Sequence, residues 1–370
     1  MSQLTAKNVR GATKKSIFFF AGTRAEIIKL SPVINRLASD GIQVHLIWAG
    51  MHSRILLDNF NLQLRNIYFL HNETKDIANT AQAASWLIKS IIRLITLSVQ
   101  LRFKSQKPRI LVVHGDTFCT VLGACFGVLS GIRVAHVEAG LRSGRIFRPF
   151  PEELNRRAVS RMSNINFAPG LTAVKNLKDR KGKIVNTFHN TNRESLYDAV
   201  RDCDFSDKQY LLVTLHRTEL LVNKKEFQKI VNKILELSSR IDIYWFIGDH
   251  ERASLTTLKL TTKIENSNIH VIQRVSHKDF VKYLAGAHCV LTDSGGLQDE
   301  CMDLGIPVII HRRETEYPLS SHVNSLLTQW DVRLIEDFIF SLPADDPFRG
   351  KKLPLEAVDI IANELEKLDA

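Results

Sequence analysis

The stretch that decides the fold spans residues 114–157 and reads HGDTFCTVLGACFGVLSGIRVAHVEAGLRSGRIFRPFPEELNRR. Residues 109–113, just before it, form an apolar β-branched run of the kind that makes a strand buried on both faces. A helical pattern follows, and then a second apolar run at 132–137. This order of strand, helix and strand predicts part of a parallel sheet.

Three acidic positions in this stretch are predicted to lie at or beyond the ends of strands. Asp116 follows the first strand, Glu138 follows the second, and the pair Glu152 and Glu153 begins a helix that Pro151 opens. Open α/β sheets bind ligands at the carboxyl ends of their strands. We therefore expect these carboxylates to converge on one chemical site. Taken singly, each position is equally compatible with a helix cap or a first-turn carboxylate.

Length and charge limit the classes of protein to consider. The 370 residues are enough for two α/β domains. The net charge of +11 favours an anionic partner, such as a phosphorylated substrate, a membrane surface or nucleic acid. No zinc-finger, helix-turn-helix or RNA-binding signature is present, so we expect no nucleic-acid partner.

Cysteine usage and hydropathy indicate the compartment. The five cysteines, at 119, 125, 203, 289 and 301, include no C-x-x-C pair, which predicts reduced thiols and no metal cluster. The sequence shows neither a cleavable signal nor an apolar run of roughly 18 residues that could span a membrane. We expect a soluble, cytoplasmic protein with no integral membrane segment.

Alternating strands and helices continue through the whole chain and predict an α/β fold with two doubly wound parallel-sheet domains and a cleft between them. Residues 1–14 are expected to form a disordered basic arm. The predicted domains are 15–190 and 191–352. Residues 353–370 are predicted to form a helix that could cross back onto the first domain.

Residues 79–103 form a long helical pattern with many aliphatic residues and several basic ones. Basic amphipathic helices can lie on a membrane surface, which leaves a peripheral membrane contact open. The favoured interpretation is a helix that faces the core or a second subunit.

Two turns between a strand and a helix are candidate phosphate sites, because helix N-termini attract anions. The first spans residues 22–26 and contains Arg24; the second spans 292–300 and contains Ser294, Gly295, Gly296 and Glu300. Neither turn is a P-loop or a G-x-G-x-x-G motif. Glu300 would repel phosphate but could accept the hydroxyls of a ribose, or it could simply complement the helix dipole.

His216 and Arg217 directly follow a predicted strand. A histidine beside an arginine can donate to a phosphate and titrates near neutral pH. An ordinary hydrogen-bonded strand-end histidine is an equally good interpretation of the sequence alone.

Taken together and in order, six motifs resemble those of the bacterial non-hydrolysing UDP-N-acetylglucosamine 2-epimerases, over about residues 16 to 318. They are GTRAEIIKLSP at 22–32, HGDT at 114–117, HVEAGLR at 136–142, RPFPEELNR at 148–156, LHR at 215–217 and TDSGGLQDE at 292–300. The resemblance implies two Rossmann-like domains arranged as in GT-B glycosyltransferases. It also implies a UDP-sugar in the cleft, a homodimer, and no requirement for a metal or any other cofactor.

The resemblance also implies roles for individual residues. The catalytic set is Asp116, Glu138, Glu152 and His216, and the UDP-binding set is Arg24, Lys29, His216, Arg217, Ser294, Gly295, Gly296 and Glu300. The implied reaction eliminates UDP to give a 2-acetamidoglucal and adds UDP back with protonation on the other face, so it needs two acid/base groups. Which carboxylate is base and which is acid stays open. Crowding of like charges is expected to raise the pKa of at least one of them.

Departures from the family pattern concern mainly the activator pocket. Ala25 replaces the usual proline, and residues 48–52 replace a segment whose glutamine belongs to the family's allosteric site. Further departures fall at 188–191, 246–250 and 315–318. Met51 and Glu153 are the possible remnants of that site. We expect activation by substrate to be weak or absent, or the sugar to differ from plain N-acetylglucosamine.

The sequence therefore predicts a UDP-N-acetylglucosamine 2-epimerase that makes UDP-N-acetylmannosamine for a surface polysaccharide such as a capsule; the pathway follows from the resemblance alone. The alternatives are a hydrolysing relative that releases UDP, a 2-epimerase of a modified UDP-sugar, and a GT-B glycosyltransferase or UDP-sugar-binding protein. The intact HVEAG and PEE motifs argue against the hydrolysing relative.

Overall fold

The computed structural model describes residues 16–51, 57, 61–71, 80–103, 109–144, 150–206, 208–273, 275–315, 317, 324–343 and 349–368. The arm predicted at 1–14 lies outside the described residues. So do His52, Glu316, Pro318 and residues 145–149, which include Arg148 and Pro149 of the RPFPEELNR motif.

The chain divides into two compact units. The first consists of Met1–Gly140, Asn155–Thr191 and Glu356–Ala370, and the second of Leu141–Leu154 and Asn192–Leu355. The helix that begins at Glu152 therefore starts in a segment of the second unit and continues in the first.

A seven-stranded sheet organises the first unit. Its strands are β1 (Ser16–Ala21), β2 (Gln43–Trp48), β3 (Asn66–Phe69), β4 (Ile110–His114), β5 (Arg133–Val137), β6 (Ile165–Ala168) and β7 (Lys183–Asn186). The strand order is β3-β2-β1-β4-β5-β6-β7, and every pairing is parallel. This is a doubly wound order, with the switch point between β1 and β4. The predicted fold class is confirmed for this unit.

Helices connect these strands and cover both faces of the sheet. They are α1 (Arg24–Ser39), α2 (Thr80–Phe103), α3 (Phe118–Leu129), α4 (Glu152–Met162) and α5 (Leu171–Lys175). Successive residues of β1 enter different cores: Ile17 and Phe19 pack on one side of the sheet, and Phe18 and Phe20 on the other. Burial on both faces explains why β1 is a continuous apolar run.

The second unit repeats this architecture with a six-stranded sheet in the order β10-β9-β8-β11-β12-β13, again parallel throughout. Its strands are β8 (Tyr210–Thr214), β9 (Asp242–Phe246), β10 (Ile269–Ile272), β11 (Cys289–Thr292), β12 (Val308–Ile310) and β13 (Ser325–Leu327). Its helices are α6 (Asn192–Ala199), α7 (Thr218–Leu221), α8 (Lys224–Leu237), α9 (Asp249–Thr257), α10 (Thr261–Glu265), α11 (His277–Gly286), α12 (Gly295–Leu304) and α13 (Arg333–Ser341).

One predicted helix in this unit is wrong. The sequence pattern indicates a single helix over residues 250–262, whereas the structure has α9 and α10 with a break between them. The break occurs where Lys259 adopts a φ of 56°, a left-handed conformation that ends a right-handed helix.

The last helix, α14 (Ala357–Leu368), packs on α1 of the first unit. Its residues Val358, Ile361 and Leu365 belong to the same core as the inward face of α1. Arg36 of α1 donates to Asp359 over 2.8 Å. None of the described helices combines the length and the apolar character needed to cross a membrane.

Candidate active site

The strand-end edge of the first sheet brings together two of the predicted acids. β4 and β5 are neighbours with His114 opposite Val137, so Asp116 and Glu138 follow adjacent strands. The Gly115 amide donates to the Val137 carbonyl over 3.0 Å, which extends the pairing into the turn. Asp116 and Glu138 therefore lie in the turns that follow neighbouring strands of this unit.

Glu138 sits in an unusual backbone conformation and in a cationic environment. Its φ is 64°, in the left-handed region that a non-glycine residue adopts only when its surroundings impose it. Its carboxylate, 7% exposed, pairs with the Lys29 ammonium and lies 3.3 Å from Nε2 of His114. Backbone strain of this kind clusters at functional sites.

The electrostatics of Glu138 follow from these neighbours. Burial acts to raise its pKa, but the charges and hydrogen bonds of Lys29 and His114 outweigh burial and hold the pKa well below the usual range. The shift has the opposite sign to the one that crowding of acids predicts, because the two basic side chains dominate. Glu138 is therefore ionised at neutral pH.

Asp116 is also paired with a cation. Its carboxylate forms an ion pair with Arg156, a side chain only 4% exposed, on α4. The neighbouring Asn155 donates its side-chain amide to the Asp116 backbone carbonyl over 2.8 Å. Helix α4 thus fixes both the backbone and the carboxylate of Asp116.

Glu152 and Glu153 are the first residues of α4, directly after Pro151 as predicted. Oε2 of Glu152 is buried and makes no hydrogen bond within the described part of the chain. Since Glu152 precedes Arg156 by four residues, the two side chains lie on the same helix face. Glu153 instead is fully buried and accepts the Ser143 amide over 3.2 Å, so it holds the loop before the helix.

The turn after β1 positions Arg24 and Lys29. Thr23 caps α1, and its hydroxyl accepts the amide of Glu26, while the Glu26 carboxylate accepts the amides of Gly22 and Thr23. Arg24 is thus the first residue of the helix, where an anion is favoured. Lys29, which the resemblance places with UDP, is in contact with Glu138. Met51, at the end of the next turn, packs partly buried against the core.

The corresponding edge of the second sheet presents His216 and Arg217. The fully buried carboxylate of Asp293 accepts the His216 amide over 3.0 Å and the Arg217 amide over 2.8 Å. Nδ1 of His216 lies 3.6 Å from Oδ1 of Asp293, and the His216 side chain is 53% exposed. Asp293 therefore fixes the backbone of this loop while the imidazole faces solvent.

Helix α12 begins where the second candidate phosphate turn was predicted. Ser294 is its N-cap and accepts the Leu297 amide over 3.4 Å. A Cβ atom placed on Gly296 would meet nothing closer than Ser294 Oγ at 3.9 Å, so a ligand has room to approach the first amides. Glu300, one turn further on, lies 3.4 Å from Nε2 of His277.

Sequence reasoning missed four residues that organise these edges: His114, Arg156, Glu26 and Asp293. Each lies inside one of the quoted motifs, so the motifs contained a signal. The spacing of Arg156 four residues after Glu152 places both on one helix face. Nothing in the sequence indicates which carboxylate Arg156 or His114 contacts. Across the described parts of the chain, no three His, Cys, Asp or Glu side chains are grouped closely enough to hold a metal ion.

Comparison with known proteins identifies relatives over most of the chain. A family model for UDP-N-acetylglucosamine 2-epimerases matches residues 35–328. The UDP-N-acetylglucosamine 2-epimerases of Methanococcus maripaludis and Bacillus subtilis are 32% and 31% identical over 321 and 319 residues, in each case 82% of this chain and 85% and 80% of the relative. The crystal structure of Methanocaldococcus jannaschii UDP-GlcNAc 2-epimerase in complex with UDP-GlcNAc and UDP is 28% identical, with a TM-score of 0.77 over 95% of this chain and 99% of that one.

Proposed function

The chain belongs to the UDP-N-acetylglucosamine 2-epimerase family, and on that premise we propose that it interconverts UDP-N-acetylglucosamine and UDP-N-acetylmannosamine without hydrolysis. The observation that carries this proposal is the pair Asp116 and Glu138, which stand at adjacent strand ends and are each held by a basic side chain. A nucleotide-sugar binder without acid/base chemistry would not require that arrangement.

The proposed reaction avoids direct removal of the C2 proton, which no neighbouring carbonyl activates. The C1–O bond to UDP breaks, the C2 proton leaves, and the electrons of the C2–H bond form the C1=C2 bond of a 2-acetamidoglucal. The UDP oxygen then adds back to C1, and C2 receives a proton on the opposite face. Two proton-transferring groups and stabilisation of the positive charge at C1 are required.

The geometry supports a division of labour among the carboxylates. Glu138 remains ionised beside Lys29 and His114, so we assign it the electrostatic role of stabilising positive charge at C1 as UDP leaves. Asp116 and Glu152 are then the groups that transfer protons on the two faces of the sugar. Oε2 of Glu152, buried and without a hydrogen bond among the described residues, is suited to exchange a proton with a bound ligand.

Each unit by itself offers groups that we propose for binding UDP. In the second unit they are His216, Arg217, the first amides of α12 at Gly295 and Gly296, the capping residue Ser294, and Glu300. A helix N-terminus and a positively charged loop stabilise a diphosphate, and a carboxylate can accept the hydroxyls of a ribose. In the first unit Arg24 has the same role, and Lys29 supports the site through Glu138.

Incubation with UDP-N-acetylglucosamine in heavy water tests the proposal. The expected result is UDP-N-acetylmannosamine with deuterium at C2, observed by proton NMR. Accumulation of free UDP with free N-acetylmannosamine would identify a hydrolysing enzyme instead. Full turnover by Asp116→Asn and Glu152→Gln would contradict the assignment of the proton-transferring groups.

A homodimer belongs to the same proposal and is supported by α2. Its buried side is narrow, whereas six aliphatic side chains opposite are 38–63% exposed: Leu87, Ile88, Ile91, Ile92, Ile95 and Val99. Such a continuous exposed apolar face marks an interface. Light scattering of Ile92→Glu and Ile95→Glu is expected to show a monomer where the parent shows a dimer. A monomeric parent that binds anionic vesicles would favour the membrane contact instead.

We further propose a cytoplasmic location. All five cysteines are free thiols, as expected for a protein in a reducing compartment. The product's use in a surface polysaccharide follows from the family resemblance alone.

A further inference from the structure

The buried carboxylate of Glu26 has no place in the chemistry described above, although it lies at the centre of the first unit's strand-end edge. It is 2% exposed. Oε2 accepts the backbone amides of Gly22 and Thr23 over 2.8 and 2.9 Å. Oε1 accepts the hydroxyls of Thr117 and Thr120 over 2.5 and 3.3 Å. One carboxylate therefore joins two segments that are more than 90 residues apart in sequence.

These two segments are the turns that carry Arg24 and Asp116. The first follows β1, and the second follows β4, the neighbour of β1 at the switch point of the sheet. Thr117 directly follows Asp116 and is the N-cap of α3, and its hydroxyl also accepts the Thr120 amide over 3.2 Å. Any shift of the Thr117 hydroxyl would therefore move the backbone of Asp116.

The charge of Glu26 is stabilised by helix ends. Glu26 is the third residue of α1, and its Oε1 accepts the hydroxyl of Thr117, the N-cap of α3. The carboxylate therefore faces the positive ends of two helix dipoles. Within the described part of the chain, the Glu26 carboxylate is held by hydrogen bonds from two amides and two hydroxyls. A carboxylate in this position favours the observed arrangement of the two turns. If the turns moved apart, the N-terminal ends of α1 and α3 would lose hydrogen bonds to Glu26.

We propose that Glu26 is a positioning residue for the epimerase reaction: it holds the Asp116 turn at a fixed distance from the Arg24 turn without touching the substrate. This inference rests on the proposed function. In effect, Glu26 determines whether the Asp116 carboxylate reaches C2 of the sugar. A displacement of about 1 Å can reduce the rate of a positioned reaction by roughly 100-fold.

Glu26→Asp tests this link from the α1 side. The variant keeps the negative charge near the first turn of α1, but it is shorter by one methylene and cannot hold both turns at their present separation. We expect kcat to fall by about 10- to 100-fold, whereas the Kd for UDP, measured by calorimetry, changes by less than about threefold, within the context-dependent scatter of a single hydrogen bond.

Thr117→Val and Thr117→Ser test the same link from the other side. Valine keeps the shape and removes the hydroxyl, so we expect the same loss of kcat as in Glu26→Asp; serine keeps the hydroxyl and should retain most of the activity. Because Thr117→Val also removes a helix cap, Asn223→Ala is the control. Asn223 caps α8 of the second unit, and its loss should lower the melting temperature without lowering kcat.

Amide hydrogen exchange gives a readout that does not depend on activity. In Glu26→Asp we expect faster exchange in residues 22–26 and also in 115–121, but not in 210–217. The inference is overturned if kcat is unchanged in Glu26→Asp and Thr117→Val, if serine and valine at 117 are equally impaired, or if faster exchange is confined to α1. A parent enzyme that does not epimerise would remove the proposed function, while the exchange experiment would still show whether Glu26 couples the two turns.

Discussion

The two units use a buried carboxylate at the same place in their sheets but direct it in opposite senses. In the first unit Glu26 follows β1 and reaches to Thr117 after β4. In the second, Asp293 follows β11, which occupies the place of β4, and reaches back to His216 and Arg217 after β8. Each carboxylate joins the two loops at the switch point of its own sheet.

The partners of Glu26 and Asp293 differ, and so do the side chains at the strand-end edges of the two sheets. Glu26 accepts hydrogen bonds from hydroxyls and amides, whereas Glu138 and Asp116 nearby are paired with the cations Lys29 and Arg156. Asp293 also lies beside the imidazole of an exposed histidine. The strand-end edge of the first unit fixes the positions of carboxylates, whereas the strand-end edge of the second unit exposes a basic side chain, His216.

The largest change in kcat is expected for a substitution of Glu138, which tests whether the first unit serves catalysis more than UDP binding. Glu138→Gln removes the negative charge that we propose stabilises C1 as UDP leaves, so kcat should fall by about 10²- to 10³-fold. The Kd for UDP should change little, because most of the proposed UDP-binding groups belong to the second unit. Steady-state kinetics with UDP calorimetry measures both quantities. Glu364→Gln, which removes a carboxylate that pairs with Lys183 in the same unit, is the matched control.

An equal loss of kcat and of UDP affinity in Glu138→Gln would contradict this prediction, since it would show that UDP binding depends on Glu138 and not mainly on the second unit.

The next effect concerns Asp293. In Asp293→Asn the amide group can accept from only one of the His216 and Arg217 backbone amides and must direct its own N–H towards the other. The unmet bond should destabilise the protein by about 1–3 kcal/mol and weaken UDP binding by about tenfold, which corresponds to 1.4 kcal/mol. Urea unfolding and calorimetry check the two numbers.

Asp249→Asn is the control for Asp293→Asn, because Asp249 is exposed at the start of α9. Unchanged UDP binding in Asp293→Asn would show that the loop after β8 does not depend on this carboxylate.

The next prediction concerns the free energy of unfolding at acid pH, which His311 of the second unit should lower. Burial lowers the pKa of His311 in the second unit to about 4, although Glu226 acts in the opposite direction. Between the ordinary pKa of 6.5 and this value the unfolded state binds more protons, so stability is complete above about pH 6.5 and declines as the pH falls towards 4. The maximum loss is about 3 kcal/mol.

His311→Gln should flatten the pH dependence of unfolding between pH 6.5 and 4, measured by urea denaturation at several pH values. Thr328 Oγ1, 2.9 Å from Nδ1 of His311, can still form a hydrogen bond with the amide. A pH dependence as steep as that of the parent would show that His311 is not the group responsible.

The smallest effect is an expected absence of substrate activation. Met51 lies in the segment that replaces the family's glutamine-containing one and packs partly buried against the core, and Glu153 accepts the Ser143 amide. Initial velocity against UDP-N-acetylglucosamine should be hyperbolic. A strongly sigmoidal curve would show that an activator site persists.

Local elements were predictable where burial alone determines them. The apolar runs at 210–214 and 289–292 predict two strands, and β8 and β11 have these bounds, because a strand covered on both faces is a continuous apolar run. The split between α9 and α10 was not predictable, since it depends on the left-handed conformation of one lysine.

In the candidate site too, the positions along the chain were predictable, but the contacts between distant residues were not. The pattern alone placed Asp116 and Glu138 at the ends of strands, and the structure shows that these strands are neighbours. The contact of Glu138 with Lys29 could not, because the two residues are 109 positions apart and meet only through the packing of α1 on the sheet. The sequence does not indicate the positive φ of Glu138 either.

Local composition and spacing are enough to predict the alternation of strands and helices and the six ordered motifs, and through those motifs the family. The folded chain was needed to show which base pairs with which acid, which carboxylates join the loops at each switch point, and which face of α2 is exposed. Those features depend on burial and on the order of strands in a sheet, and both arise only when distant segments pack together.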